Sequence, residues 1–242
     1  MDIVHLLKAK AADNKAVGGV TLAFLGDSVT QGCFALYRSP DGTLGTFFDQ
    51  MHVYHQYLKQ ILSVLYPSVP INIINAGISS NTAQDGLRRL ERDVICHRPD
   101  LAVVCFGLND ANNGPEGIGA YEAALRAIFR SLHQVGIETV FMTPNMTASH
   151  ISPQLQDPVL REAAEPVIAH QNDGTFDRYM DAARAVCAQE SVPVCDVYRK
   201  WKQLAHCGVD TTELLSNQIN HPIPSVHWLF AASLTETILQ IP

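Results

Sequence analysis

A chain of 242 residues that is 47% hydrophobic and only 17% charged has the composition of one folded domain with a real core, which excludes a disordered protein. Its net charge of −7, with acids and bases mixed along the sequence and no basic patch, argues against nucleic acid as a partner. No apolar run reaches the length of a membrane span, so membrane insertion is not expected.

The first residues, Met1 to Lys10, read as a short amphipathic helix and lack the basic-then-apolar-then-small order of a signal peptide, so a cytoplasmic location is expected. An apolar run, Leu22 to Leu25, then breaks into Gly26-Asp27-Ser28-Val29-Thr30-Gln31-Gly32, as a buried strand ending in a tight turn would. Phe34 to Phe48 is a polar loop sprinkled with aromatics, and Phe34, Tyr37, Phe47 and Phe48 are expected to anchor it. Apolar spacing predicts a helix from Gln50 to Leu65 and a second strand at Ile71–Ile74, which again ends in small residues, Asn75 to Ser80. A charged helix follows from about Thr82 to His97, its arginines and acids expected on a solvated face. Leu101 to Phe106 is nearly all apolar, a third strand buried on both faces, and it ends in Gly107-Leu108-Asn109-Asp110.

Glu116 to Val135 reads as a helix and Glu138–Met142 as a fourth strand. Thr143 to Asn172 is broken by four prolines and is expected to be an irregular wall or lid. Thr175 to Gln189 is helical, Val192–Asp196 a fifth strand and Trp228 to Leu239 a closing helix. Strand and helix alternate without repeat or linker, which predicts a single α/β domain over residues 1–242 built on a parallel sheet. The six cysteines, Cys33, Cys96, Cys105, Cys187, Cys195 and Cys207, form no C-x-x-C pair, so reduced and mostly buried thiols are expected. Cys33, close to Ser28, is the one expected to meet thiol reagents.

Three strands in succession end in a small-residue turn with one distinctive residue: Ser28, Gly77 and Asn109. At the carboxyl edge of a parallel sheet these would converge, and together they make an acyl-transfer set: a nucleophile and donors aimed at a developing oxyanion. The donors would be the N–H groups of Ser28 and Gly77 and the Asn109 side-chain amide. Asp27 and Asp110 are expected to brace their turns. The base should be a histidine, and His221, followed by Pro222 in the polar loop before the last helix, has the best context, with His227 as its competitor.

Gly26-Asp27-Ser28, Gly77, Gly107-x-Asn109-Asp110 and His221-Pro222, in this order over nearly the whole chain, resemble the four blocks of the SGNH (GDSL) hydrolases. The resemblance implies a flavodoxin-like three-layer α/β/α fold with a five-stranded parallel sheet. It also implies esterase chemistry without metal or cofactor, with Ser28 as nucleophile, Gly77 and Asn109 completing the oxyanion hole, and His221 as base. The Asn-His-Pro form of the last block is most similar to bacterial carbohydrate-esterase-like members. That implies a small ester substrate, an O-acetylated sugar, and small acyl groups. Long-chain thioesterase or lysophospholipase activity and a sugar-binding protein without turnover are the rivals.

One departure stands out. The family places an aspartate shortly before the histidine, whereas this chain offers Asn217 and Gln218. Asn217 is the expected counterpart, accepting from the His221 ring in a Ser-His dyad. A carboxylate from elsewhere (Asp196, Asp210 or Glu213) or a weak enzyme are the alternatives.

Overall fold

The computed structural model describes residues 1–240. Its core is a parallel sheet whose central strand β1 (Val20–Gly26) is buried at every residue but Thr21. β1 pairs on one side with β2 (Ile71–Gly77) and on the other with β3 (Leu101–Cys105), where all five residues are buried. β4 (Glu138–Met142) and a two-residue β5 (Val194–Cys195) extend the sheet, giving the spatial order β2-β1-β3-β4-β5. That is the flavodoxin-like order, and its reversal at β1 leaves a crevice between the carboxyl ends of β1 and β3, where such sheets bind ligands.

Right-handed crossovers then dictate the layers. The step from β1 to β2 runs opposite to all later steps. The helix between them, α1 (Tyr54–Leu65), must therefore lie on one face and α2 (Ala83–Asp93), α3 (Ile118–Gln134) and α4 (Thr175–Gln189) on the other. Accordingly α3 packs on α2 and α4, while the closing helix α5 (His227–Leu239) returns to pack on α1. The registers Gly26↔Gly77 and Gly26↔Cys105 bring the three strand ends level, so their turns emerge at a single edge.

The expected α/β architecture with five parallel strands is present, and five departures from expectation accompany it. Cys33–Arg38 and Leu44–Phe48 pair as an antiparallel hairpin, not a loop. Of its aromatics only Phe34 anchors, packed on His227 with ring centroids 5.0 Å apart; Tyr37, Phe47 and Phe48 are about half exposed. Within the Pro-broken stretch, Pro158–Asn172 forms a helix, α6, with Asp157 capping it and Pro158 in the first turn, where the missing N–H costs nothing. A further helix, Val197–His206, follows β5. On α2 the charged face is solvated at Arg88 and Arg92, but Arg89 is 7% exposed. No helix among the described residues is long and apolar enough to cross a membrane.

Candidate active site

β1 ends at Gly26, where a Cβ would meet Thr30 Oγ1 at 2.1 Å and the Cys105 carbonyl at 2.9 Å, so a tight break is possible only with glycine. Asp27 caps the next turn, its Oδ1 accepting from the Val29 N–H at 3.0 Å, and Ser28 opens a four-residue helix, Ser28–Gln31. No group among the described residues accepts the Ser28 N–H. Ser28 Oγ lies 2.9 Å from His221 Nε2. Both side chains line a cleft of about 260 Å³ together with Asn109 and Ser80. Leu160, Ala163 and Val167 of α6 form an apolar wall of the same cleft, and Leu36 and Thr46 of the hairpin also line it.

His221 stands on a loop that is clamped at its base. Leu215 and Pro222 bridge, and the Ser216 N–H donates to the His221 carbonyl at 2.7 Å. Asn217 builds the loop from inside: its Oδ1 accepts from the backbone N–H groups of Ile219, Asn220 and His221 at 3.0, 2.9 and 2.9 Å. Its Nδ2 donates to Asn220 Oδ1. Asn217 therefore does not hold the imidazole, which corrects the expectation from spacing: its one acceptor oxygen is already taken by three backbone donors.

The carboxylates named as alternatives are also committed elsewhere. Asp196 pairs with Arg184 and caps the following helix, Asp210 accepts from the Thr212 N–H, and Glu213 accepts from Ser152. Gln218 donates to the Leu215 carbonyl. What meets the ring's second nitrogen is the start of the hairpin. Cys33 Sγ is 3.5 Å from Nδ1. Ser216 Oγ donates to the carbonyl of the next residue, Phe34, at 2.6 Å. With Nε2 facing the Ser28 hydroxyl, the role of base requires the tautomer with hydrogen on Nδ1, which leaves Nε2 free to take a proton. Burial pulls the His221 pKa down to about 4 against the weaker pull of the Phe34 carbonyl, so the ring is neutral at neutral pH.

Asn109 opens the turn after β3, and its Nδ2 donates one hydrogen to the Asn81 carbonyl at 2.9 Å. Gly77 is not part of the cleft. Its N–H donates to Asn75 Oδ1 at 3.0 Å, and it lines a separate hollow with Arg92, Asp93 and His97. The place in the cleft expected of Gly77 is held by Ser80, three residues on. Ser80 lines the cleft in the left-handed conformation (φ 64°), and no described residue accepts its N–H.

Asp27 and Asp110 both brace helix starts, Asp110 Oδ1 accepting from the Ala83 N–H at 2.9 Å. Burial pushes their carboxyls up, to about 7 and about 6. His227 is buried, its Nδ1 accepting from the Tyr54 N–H at 3.1 Å, which removes it as a rival base. Cys33 is buried too, and desolvation pushes its thiol up to about 11, so it is a protonated neighbour of the ring and not a reactive thiolate. The exposed thiols are Cys96 and Cys207. Among the described residues one group has metal-ligand spacing, His150, Asp210 and Glu213; all three are exposed and none lines the cleft.

Comparison with known proteins finds esterases of the same fold. An acetylxylan esterase of Geobacillus stearothermophilus is 30% identical over 156 residues, 61% of this chain and 68% of that protein. A variant of Axe2, an acetyl-xylooligosaccharide esterase of the same species, has a TM-score of 0.66 at 25% identity, covering 91% of this chain and 94% of that one. A two-domain esterase active on acetylated mannans shares the fold with a TM-score of 0.69 at 17% identity, covering 98% of this chain and 53% of that one. Residues 24–229, from β1 into α5, match the model of the GDSL-like lipase/acylhydrolase family. The chain belongs to that family and is a carboxylic ester hydrolase.

Proposed function

We propose that this enzyme removes acetyl groups from an O-acetylated carbohydrate by way of a Ser28 acyl-enzyme. The observation that carries the reading is the 2.9 Å contact of Ser28 Oγ with His221 Nε2 in the cleft that also holds Asn109. Nε2 takes the hydroxyl proton as Oγ attacks the ester carbonyl, and the oxyanion meets the Ser28 N–H, the Ser80 N–H and Asn109 Nδ2. The imidazolium returns its proton to the leaving sugar oxygen, and water then cleaves the acyl-enzyme by the same route. The ring's other nitrogen faces Cys33 Sγ and no carboxylate among the described residues, where most relatives of this chemistry use a charge.

The small cleft, polar on the Asn109 side and apolar along α6, suits a short acyl group with most of the sugar left in solvent. Xylan- and mannan-directed relatives support the sugar. Six free cysteines, four of them buried, fit a reducing, cytoplasmic setting. The test is a chain-length series of nitrophenyl esters beside acetylated xylo-oligosaccharides, with acetate release as readout. Acetyl esters are expected to exceed octanoyl esters by at least about tenfold in kcat/KM. Preference for octanoyl would move the enzyme to the thioesterase or lysophospholipase class.

The pH profile tests the base. His221 must be neutral to accept a proton, and burial holds its pKa near 4, so kcat/KM should stay level from neutral pH to about 5. Below about pH 4 it should fall about tenfold per pH unit. An acidic limb near 6.5, the ordinary histidine value, would show that the ring is not buried as described.

A further inference from the structure

Arg89 is the one buried arginine on α2, whereas the side chains of its neighbours Arg88 and Arg92 are 68% and 72% exposed. Its guanidinium reaches three segments of the catalytic edge. Nη2 donates to the Gly26 carbonyl at 2.8 Å, Nη1 to the Ala76 carbonyl at 2.6 Å, and Nε to Asn81 Oδ1 at 2.7 Å. Nη1 also meets Asp93 at 3.1 Å, an ion pair that balances the buried charge. Gly26 stands two residues before Ser28. Asn81 follows Ser80, and its own carbonyl holds Asn109 Nδ2 at 2.9 Å. One planar fork therefore ties together the segments that carry all three proposed oxyanion donors.

We infer that Arg89 is a positioning residue that sets the spacing of the Ser28, Ser80 and Asn109 donors around the oxyanion. The inference rests on the acyl-enzyme reading above. Arg89 does not line the cleft, so it acts through Gly26 and Asn81 and touches no substrate. Three of its acceptors point in different directions on one plane, which a lysine ammonium on a flexible stem cannot match. Donors displaced by about 1 Å lose about 10²-fold in rate, because their contribution is made in the transition state and depends on preorganisation.

The experiment compares Arg89→Lys and Asn81→Ala with wild type and with the surface control Arg88→Ala. Steady-state kinetics on an acetyl ester and inhibition by methylboronic acid, which forms a tetrahedral anionic adduct on the nucleophile, are the readouts. Arg89→Lys is expected to lower kcat about 10- to 100-fold with KM within about threefold, and to weaken the boronate by a similar factor. Arg88→Ala should change neither. Asn81→Ala keeps the guanidinium and its Asp93 pair, so it carries the test if Arg89→Lys does not fold; the same split is expected. A lowered melting temperature with kcat and boronate affinity unchanged would overturn the inference, as would a rise in KM alone. Phosphonate labelling of wild-type Ser28 separates the two layers: labelling with unaffected variants sinks only the role of Arg89, while no labelling sinks the acyl-enzyme reading itself.

Discussion

Ser28→Ala is expected to lower kcat for ester hydrolysis by about 10⁴- to 10⁶-fold, and His221→Ala by a similar factor, with the double variant no slower than either single one. The reason is geometric. Oγ and Nε2 are 2.9 Å apart and neither does its part without the other, so removing one removes the function of both. The activity that survives comes from the oxyanion donors and from binding, which neither substitution touches. Because the Oγ proton leaves only through Nε2, the pair acts as a unit without a charged third member. Ser28→Ala removes one buried hydroxyl and leaves Nε2 without its partner, a loss of about 1 kcal/mol that leaves the fold intact. Single-turnover kinetics with circular dichroism on the same samples checks both statements. A Ser28→Ala enzyme within tenfold of wild type, or singles whose effects multiply in the double variant, would show that the two residues are not nucleophile and base.

Much of this site was legible because strand ends are legible. Leu22–Leu25 and Leu101–Phe106 are apolar runs that stop abruptly, which places Ser28 and Asn109 at one sheet edge from pattern alone. What failed was the assignment of single groups within turns. A glycine three residues past the last isoleucine of β2 looks like an oxyanion donor, yet its N–H is spent on Asn75. The cleft position falls to Ser80, whose left-handed backbone carries no marker because glycine or asparagine is the usual sign of that conformation. Asn217 failed for a related reason. Spacing from a histidine cannot tell whether an amide oxygen faces the ring or three backbone donors. The group that meets the ring's second nitrogen is Cys33 Sγ, contributed by the far end of the chain, and nothing in the spacing around the histidine points to it.

Other misreadings had signals that were outweighed. Four prolines argued against a helix between Thr143 and Asn172, but Asp157-Pro158 is a helix start, and α6 supplies the apolar wall of the cleft. Asp41-Gly42 between short apolar runs was the mark of the hairpin. Arg89 sits three residues after Gly86 and six after Ala83, all on the buried face of α2, so its burial follows from helical periodicity once the face is known. Interleaved charge suggested a solvated helix and hid the one arginine that points inward.

Gly77→Ala gives the second large effect, and it separates packing from chemistry. An alanine Cβ there would lie 2.2 Å from the Gln31 N and 2.6 Å from the Thr30 carbonyl carbon, both backbone atoms of the short helix that begins at Ser28. Neither is the movable end of a side chain, so the helix or the end of β2 must retreat by about 1 Å to restore ordinary contact. Gly77 is not among the residues with positive φ, so the penalty is steric and owes nothing to backbone strain. Overpacking of this kind costs about 2–3 kcal/mol, which lowers the melting temperature by roughly 5–10 °C in a chain of this size. Moving Ser28 by about 1 Å away from His221 and the oxyanion donors should lower kcat by about 10²-fold. The alanine keeps its own N–H, so a purely electrostatic role for that group would leave the melting temperature unchanged. Measuring thermal unfolding and kcat together decides the matter. Coupled losses place Gly77 in the contact between β2 and the nucleophile helix, and native values of both would mean that the two elements do not meet there.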